Sequence, residues 1–255
     1  MSRPIQLSVA IITLNEERNI ERCIRSVQPV ADEIVVVDSF STDRTKEICL
    51  GLGVQFTEHP FADYVQQKNY ALSQASYPFV LSIDADEALS EQLQQSILAA
   101  KADWRHDAYR FNRLTNYCGQ WIRYGGWYPD TKTRLWNTAN GSWGGQGIHE
   151  SVALSAQSSV GWLAGDLLHY SYYTIADHVT TANKFSEVAA AESIRRGRKI
   201  NPVVHLLLNP VFTFIKKYFF QQGFRDGFYG WVIGVLSAYA NFLKYSKIYA
   251  WQRQQ

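Results

Sequence analysis

Three carboxylates follow a short apolar run, and their types and spacing suit the binding of a metal ion. The run Phe79–Ile83 predicts a buried strand, and it leads directly into Asp84-Ala85-Asp86-Glu87. Mg²⁺ and Mn²⁺ prefer oxygen ligands and usually keep one or two protein carboxylates together with substrate phosphates. The alternative is a solvated acidic turn before a helix that Ser90 caps. The motif alone leaves both interpretations open, because such short motifs produce many false positives.

Polar side chains also follow two other predicted strands. The runs Leu7–Leu14 and Ile34–Val37 are nearly continuous in apolar residues, which is typical of parallel strands covered on both faces. The polar residues around the ends of these runs are Thr13, Asn15, Glu16 and Asp38. Because open α/β sheets bind ligands at the carboxyl ends of their strands, this convergence favours a ligand site over three separate helix caps.

Strands and helices of about ten residues alternate along residues 7–101, which predicts βαβ units and a parallel sheet. The predicted helices run from Glu16 to about Val27 with Asn15 as the cap, through about Leu52 after the turn at 39–43, from about Asp63 to Ala75, and from Ser90 to about Lys101. Residues 108–114 alternate like a half-exposed strand. The sequence contains neither G-x-G-x-x-G nor G-x-x-x-x-G-K-[ST], which argues against a dinucleotide oxidoreductase and a P-loop NTPase.

The length of 255 residues suits one α/β domain with an appendage. Three scattered cysteines without a C-x-x-C motif indicate neither a disulfide framework nor a thiolate metal site, which fits a reducing cytoplasm. The N-terminal apolar run is short and predicts no signal peptide. Residues 1–192 carry 15 Lys/Arg and 22 Asp/Glu, whereas residues 193–255 carry 10 Lys/Arg and a single acid, Asp226. This split predicts that the C-terminal region meets an anionic surface.

Two aromatic regions occupy the second half of the sequence. Residues 116–147 are rich in Gly, Trp and Tyr; aromatic faces beside glycine turns suit sugar rings, although about half of these aromatics are expected to be structural. Residues 174–195 predict a helix, and Gly227–Leu243 is a run of 17 residues without a charge. A spanning helix needs about 20 apolar residues, so the basic flanks and aromatics predict helices that lie in the membrane interface. Packing on the domain or on a second subunit is the alternative.

Together these residues resemble a known family. Residues 9–17, 33–43 and 83–87 are similar to the motifs of the family 2 inverting glycosyltransferases of GT-A fold. The resemblance covers residues 5–95 well. The segment from Tyr128-Pro129-Asp130 to Ile148-His149-Glu150 is similar to the lipopolysaccharide core β-1,4-glucosyltransferase branch, in which small membrane-associated enzymes glucosylate an inner-core heptose.

The resemblance implies an α/β fold of the GT-A type, a nucleotide-diphospho-sugar transferase with a Rossmann-like, mostly parallel sheet. It implies a GT-A domain at residues 1–173, with a nucleotide-binding half at 1–100 and an acceptor half at 101–173. Residues 174–255 are then a basic and aromatic helical region that associates with the membrane. The implied partners are a UDP-sugar donor, a lipopolysaccharide inner-core acceptor and the cytoplasmic face of the inner membrane, where the enzyme is peripheral. No nucleic acid is expected, and the oligomeric state is left open.

The resemblance also assigns roles to individual residues. It places Asp84 and Ala85 at the nucleotide sugar, with Asp84 towards the ribose, and Asp86 on Mg²⁺ or Mn²⁺ as the Lewis acid. Glu150 is the general base that inversion by single displacement needs. The residues that hold the base and ribose are Thr13, Asn15, Glu16 and Asp38. Glu87 is interpreted as an acid that leads the next helix, outside the site.

Several assignments stay open at the level of sequence. His149 competes for the role of base, since a Glu preceded by His stands where many relatives have Glu-Asp. Lys68 either lies near the nucleotide or is a solvated helix lysine. His169 is either a third metal ligand or a packed side chain. Asp130 either contacts the acceptor or pairs with Arg134.

The leading hypothesis is transfer of glucose from UDP-glucose to an inner-core heptose, and three alternatives accompany it. A polyprenyl-phosphate glycosyltransferase shares the nucleotide half and the membrane attachment. A phosphatase with Asp84 as nucleophile expects its motif on the first strand and followed by Gly-Thr, whereas here the motif ends the fourth strand. A non-catalytic carbohydrate-binding or scaffold protein would keep its function after loss of Asp86 and Glu150.

Overall fold

The computed structural model describes residues 4–146 and 149–254, without the side chains of Gln146 and His149. The chain forms two compact units. The first unit comprises residues 1–113 and 130–170, and the second unit comprises residues 114–129 and 171–255. Residues 114–129, which the sequence analysis assigned to the acceptor half, thus group with the C-terminal helices.

Strands and helices alternate in the N-terminal part of the chain, and helices alone form the C-terminal part. The described strands are β1 (Leu7–Thr13), β2 (Glu33–Asp38), β3 (Gln55–Glu58), β4 (Phe79–Asp84), β5 (Glu87–Leu89), β6 (Ala108–Tyr117), β7 (Gln120–Ile122), β8 (Asp130–Asn137), β9 (Gly141–Gln146), β10 (His149–Leu154) and β11 (Val160–Tyr172). The described α-helices are α1 (Ile20–Val27), α2 (Thr45–Gly51), α3 (Tyr64–Ser73), α4 (Glu91–Ala102), α5 (Ile175–Arg195), α6 (Asn209–Ile215) and α7 (Gly227–Gln252).

Most of the strands form one mixed sheet in the order β3-β2-β1-β4-β8-β6-β11-β5, with β7 paired to β6. Strand β1 is parallel to β2 and β4, and β2 is parallel to β3, as the βαβ pattern predicts. The pairs β4–β8, β6–β8 and β5–β11 are antiparallel. Strands β9 and β10 form a separate antiparallel pair.

Both faces of β1 are covered, which explains its nearly continuous apolar sequence. Leu7, Val9 and Ile11 are buried in one apolar cluster, and Ala10 is buried in another. Successive side chains of a strand point to opposite faces, so this one strand supplies both clusters. Helix α1 packs on the first cluster with residues at helical spacing, namely Ile20, Cys23, Ile24 and Val27.

Helix α1 begins later than the sequence predicts, and the prediction that Asn15 caps it is wrong. Asn19 precedes its first residue, Ile20. Asn15 has a positive φ of 54°, and its side-chain Oδ1 accepts from the backbone N–H of Thr42 at 2.8 Å. Asn15 therefore joins two loops instead of starting a helix. The later helices begin as predicted, with Asp63 capping α3 and Ser90 capping α4.

The second unit consists mainly of helices. Thr174 and Asp177 form a capping box at the start of α5, which fits the helix predicted for residues 174–195. Helix α6 lies between two π-helical stretches, Val203–Leu208 and Lys216–Phe220, and both α5 and α6 pack against α7. Among the described residues, one helical stretch, Val203–Phe220, has the length and composition of a membrane-crossing helix, and none of its residues is buried.

The aromatic residues of segment 116–147 divide between core and surface, as expected. Tyr117, Trp136 and Trp143 are buried. The others are half-buried, namely Trp121, Tyr124, Trp127 and Tyr128. The half-buried rings belong to the second unit.

Candidate active site

The carboxyl ends of β1, β2 and β4 lie side by side in the first unit. Thr13 pairs with Asp38 across β1 and β2, and Ile12 pairs with Asp84 across β1 and β4. The backbone N–H of Ala85 donates to the carbonyl of Ile12 at 3.2 Å. The three polar segments that the sequence places at strand ends are therefore neighbours, because parallel strands end at one edge of the sheet.

Lys68 connects two of the predicted site carboxylates. Its Nζ lies 3.0 Å from Oδ1 of Asp84 and 3.3 Å from Oε1 of Glu150. The Lys68 side chain is only 1% exposed, whereas those of Asp84 and Glu150 are 26% and 20% exposed. Of the two alternatives for this residue, the solvated helix lysine is wrong. The buried cation holds both carboxylates while leaving one side of each accessible.

Asp84 is held by a second cation that the sequence analysis missed. Arg134 Nη2 lies 3.2 Å from Oδ2 of Asp84, and the Arg134 side chain is buried. Burial by itself raises the pKa of Asp84, but Lys68 and Arg134 outweigh it, so the pKa falls below its ordinary range. Asp84 is therefore fixed as an anion. The signal for Arg134 was the period-two spacing of charged residues on β8, where alternate side chains share one face.

Glu87 is a buried member of this cluster, so its interpretation as a helix-leading acid is wrong. It lies on β5 and its side chain is inaccessible to solvent. Its carboxylate accepts from the backbone N–H of Asp84 at 2.9 Å and pairs with Arg113 at 3.2 Å and Arg134 at 3.5 Å. Glu87 thereby fixes the backbone of the Asp84-Ala85-Asp86 turn.

Of the two alternatives for Asp130, the pairing with Arg134 is wrong. Asp130 pairs instead with Arg113 at 2.8 Å and with Lys132 at 2.9 Å. Arg113 thus bridges Asp130 and Glu87. Arg134 pairs with Asp84 and Glu87 instead. Its partner Asp84 therefore lies on the neighbouring strand β4, whereas Asp130 lies on β8 with Arg134 itself.

The indole of Trp143 packs against the two buried cations, Lys68 and Arg134. Lys68 Nζ lies 4.4 Å and Arg134 Cζ 4.9 Å from the centroids of the Trp143 rings over which they sit, and such cation–π contacts are attractive. The indole N–H donates to Oγ of Ser82 at 3.2 Å. The Asn69 side-chain amide donates to the carbonyl of Trp143 and accepts from its backbone N–H. Helix α3 and strand β9 are joined in this way beside the Asp84 carboxylate.

Asp86 and His169 lie together at the accessible side of the cluster. Oδ2 of Asp86 and Nε2 of His169 are 3.1 Å apart, and their side chains are 25% and 15% exposed. Burial opposes ionisation of Asp86, but His169 lowers its pKa below the ordinary value. Within the described residues, no group of three or more His, Cys, Asp or Glu side chains is placed to hold a metal. Two accessible ligands fit Mg²⁺ or Mn²⁺, which take their remaining ligands from substrate phosphates and water.

The loops that follow β1 and β2 are joined to each other by hydrogen bonds. Asn15 donates its backbone N–H to Oγ of Ser41 at 2.7 Å, while Asp38, which is fully buried, accepts from the N–H of Ser41 at 2.7 Å. Glu16 donates its N–H to Oγ1 of Thr45 at 2.8 Å. Burial, with Asp86 nearby, raises the pKa of the Glu16 carboxyl to about 7. Thr13 is buried, and its Oγ1 has no hydrogen-bond partner among the described residues.

Tyr64 is a further residue that sequence reasoning missed. It is the first residue of α3 and is partly exposed. Burial raises the pKa of its hydroxyl, and the negative charges of Asp84 and Glu150 raise it further. The side chain of His149, the alternative base, lies outside the described part of the structure.

Comparisons with known proteins are consistent with this geometry. Residues 8–153 match the family model described as glycosyl transferase family 2. An uncharacterized glycosyltransferase of Rickettsia prowazekii (strain Madrid E) is 34% identical, over 95% of this chain and 86% of its own. The lipopolysaccharide core biosynthesis glycosyltransferase LpsC of Rhizobium meliloti (strain 1021) is 31% identical, over 96% of this chain and 92% of its own.

A solved structure is also similar, but only distantly. It is glucosyl-3-phosphoglycerate synthase from Mycobacterium tuberculosis in complex with Mn²⁺, UDP and glucosyl-3-phosphoglycerate. The identity is 22%, the match covers 44% of each chain, and the TM-score is 0.37, which is too low to support an argument about ligands. The family match and the mixed, partly parallel sheet confirm the predicted GT-A fold, and the C-terminal helices are present as predicted.

Proposed function

This chain belongs to glycosyl transferase family 2 and is a glycosyltransferase, and we propose that it transfers glucose from UDP-glucose, with inversion, to a heptose of a lipopolysaccharide inner core. The observation that carries the proposal is the position of Lys68. Its buried ammonium lies 3.0 Å from Asp84, on the donor side, and 3.3 Å from Glu150, the proposed base. A single cation thus sets the spacing between donor recognition and proton removal.

The acceptor class is supported by the similarity to LpsC, whose name places it in lipopolysaccharide core biosynthesis and which aligns with 96% of this chain. Glucose as the transferred sugar and UDP as the nucleotide rest on the resemblance of the sequence motifs. We assign Asp84 to the ribose and Thr13, Asn15 and Glu16 to the base and ribose. Asp38 acts through the Ser41 loop, because its buried carboxylate is occupied there.

In the proposed mechanism, Glu150 accepts the proton of the acceptor hydroxyl while that oxygen bonds to the anomeric carbon and UDP leaves from the opposite face. Lys68 and Arg134 keep Asp84 ionised and in place. Asp86 and His169 are the residues that would hold Mg²⁺ or Mn²⁺. When bound, such an ion neutralises the diphosphate leaving group.

We further propose that the enzyme is peripheral at the cytoplasmic face of the inner membrane and attaches through the second unit. Phe220 at the end of the Val203–Phe220 stretch is 74% exposed, and Phe228 on α7 is 64% exposed. Lys216 and Arg225 lie close to them in the sequence. Exposed apolar faces with basic residues bind anionic lipid surfaces.

The proposal is tested by radiolabelled UDP-glucose with Mn²⁺ and lipopolysaccharide truncated to its inner-core heptose, with polyprenyl phosphate as the competing acceptor. We expect label on the lipopolysaccharide, in a β-linkage by NMR. Glu150→Gln should lower kcat by about 10²-fold or more, as loss of a general base does. Glu91→Gln, which alters an exposed acid on α4, serves as the control. His149→Gln tests the alternative base and should keep activity if Glu150 is the base.

Three outcomes contradict parts of the proposal. Label on polyprenyl phosphate alone would replace the acceptor by the alternative one. Loss of turnover in His149→Gln together with retention in Glu150→Gln would move the role of base to His149. A product in the α-linkage would exclude inversion.

A further inference from the structure

A cavity of about 540 Å³ lies within the second unit, beside the loop that follows β7. Its walls combine aromatic rings, amides and a guanidinium. The lining residues used below are Arg123, Tyr124, Tyr128, Phe220, Gln221 and Gln222. None of the described residues that line it carries a carboxylate.

Hydrogen bonds to Asp226 fix one wall of this cavity. Asp226 is 6% exposed, and its carboxylate accepts from the backbone N–H groups of Arg123 at 3.2 Å and Tyr124 at 2.8 Å. Arg225 stacks over the Tyr124 ring at 4.3 Å. Asp226, the only acid in residues 193–255, therefore binds the backbone of the loop. The cavity keeps the positive charge of Arg123.

A second part of the lining comes from the residues that follow the Val203–Phe220 stretch. Gln221 accepts at its carbonyl from the N–H of Gly125 at 2.9 Å. At Gly126, with a φ of 74°, an added Cβ would lie 2.6 Å from Oε1 of Gln221. Gln222 has a positive φ of 58° and its Oε1 accepts from Arg225 at 2.9 Å. Conformations of this kind persist where the surrounding structure holds them and often mark functional sites.

The chemistry of the walls is that of a site for an anionic sugar. Arg123 lies 5.5 Å from the Tyr128 ring and is exposed, so its guanidinium can meet a phosphate or carboxylate with charge-assisted hydrogen bonds. Tyr128 lines the cavity beside this guanidinium, and aromatic rings pack against the apolar side of a pyranose. The amides of Gln221 and Gln222 supply donors and acceptors for hydroxyls.

The surroundings of the cavity indicate that its ligand is attached to a lipid. Phe220 is both a lining residue and the 74% exposed end of the apolar Val203–Phe220 stretch. Phe219 and Phe224 beside it are also exposed. A sugar bound here would have its lipid portion next to an unburied apolar helix, which matches the amphipathic division of a glycolipid.

We propose that this cavity binds the anionic saccharide of a membrane glycolipid and so selects the acceptor. The inference rests on the proposed function for the class of the acceptor, a phosphorylated core oligosaccharide. It assigns Arg123 to the anionic group and Tyr128 to the sugar ring. It adds a second binding site for the reaction, carried by the helical unit.

The test measures binding of a delipidated, phosphorylated inner-core oligosaccharide to the full-length protein by titration calorimetry, without donor. We expect Arg123→Gln to raise the dissociation constant about tenfold or more, because it removes a charge-assisted hydrogen bond. Tyr128→Leu should raise it several-fold, because it removes the aromatic ring that packs on the sugar. The acceptor KM should rise equally while UDP affinity stays unchanged. Arg110→Gln and Trp162→Leu are matched controls, because Arg110 lies 5.9 Å from the exposed Trp162 ring in the first unit.

Each outcome separates the cavity from the proposed function. If wild type glucosylates truncated lipopolysaccharide but Arg123→Gln and Tyr128→Leu keep its KM, the cavity is not the acceptor site while the proposed function stands. If wild type binds the oligosaccharide through Arg123 but transfers no glucose, the cavity stands and the proposed donor fails. Absence of oligosaccharide binding to folded wild type overturns the inference.

Discussion

Lys68 and Glu150 are 82 positions apart in the chain, yet Nζ of Lys68 lies 3.3 Å from Oε1 of Glu150. The contact joins α3 to β10, and Trp143 on β9 supports it from one side, 4.4 Å from the ammonium. The same ammonium holds Asp84 at the end of β4. In the proposed reaction, the donor-side carboxylate and the base therefore share one buried counterion.

Replacing Lys68 by Met should lower kcat by about 10²-fold, because Glu150 and Asp84 lose the ion that positions them and misplacement of about 1 Å has effects of this size. Lys68→Arg keeps the charge and should retain more activity than Lys68→Met. Steady-state kinetics at saturating acceptor, with circular dichroism to verify the fold, measures this. Lys46→Met, which removes an exposed lysine paired with Glu58, is the control. Equal kcat for Lys68→Met and wild type would contradict the positioning role.

Replacing His169 by Gln should weaken the activating metal by 10-fold or more without changing the donor KM at saturating metal, because a residue next to Asp86 is lost from the proposed ligand set. Asp86→Asn should abolish activation at any practical concentration. Titration of activity with Mn²⁺ gives the half-activating concentration, and binding of Mn²⁺ by electron paramagnetic resonance gives an independent value. A His169→Gln enzyme with the wild-type titration curve would show that His169 is merely packed.

Replacing Glu87 by Gln should destabilise the protein by about 3–5 kcal/mol, the cost of breaking a buried ion pair from one side. Arg113 and Arg134 would lose the carboxylate that they share. Urea unfolding followed by fluorescence gives the difference in free energy. Glu47→Gln, which alters an exposed ion pair with Arg44, should leave the unfolding curve close to that of wild type. A midpoint for Glu87→Gln equal to the control would mean that Glu87 is not a structural anchor.

Stability should fall as the pH decreases from 6.5 to 4, because burial and the nearby Lys217 lower the pKa of His178 to about 4 from 6.5. In that interval His178 binds a proton in the unfolded chain but not in the folded chain. Unfolding therefore becomes more favourable as the pH falls. The loss reaches about 3 kcal/mol below pH 4, at 1.36 kcal/mol per pH unit. Nδ1 of His178 and the Tyr117 hydroxyl are hydrogen-bonded at 3.0 Å.

The check on His178 is a comparison of urea unfolding at several pH values between 4 and 7.5 for wild type and His178→Gln. Gln keeps both a donor and an acceptor for the Tyr117 hydroxyl but does not titrate. The difference between the two free-energy curves should change across the interval and level off above it. Parallel curves over the whole range would show that His178 is not held neutral by the fold.

Much of the architecture follows from local sequence. The continuous apolar runs of β1 and β2 predict buried parallel strands, and Asp63 and Ser90 predict the starts of α3 and α4. Propensity, capping and periodicity act over a few residues, so they are readable without the fold. The motifs around Asp84 and Asp86 likewise indicated the family, which the comparisons show.

The pairing of charged groups was decided by the tertiary structure alone. The sequence left Lys68 open between a nucleotide contact and a solvated lysine, and it suggested that Glu87 leads a helix. Both side chains are buried, and Arg134 pairs with Asp84 and not with the nearby Asp130. Strand β8 lies beside β4, which brings together side chains 50 positions apart. Burial makes such pairs obligatory, because an unpaired charge in the interior is costly. The sequence determines which strands end in polar groups, whereas only the order of the strands determines which of those groups meet.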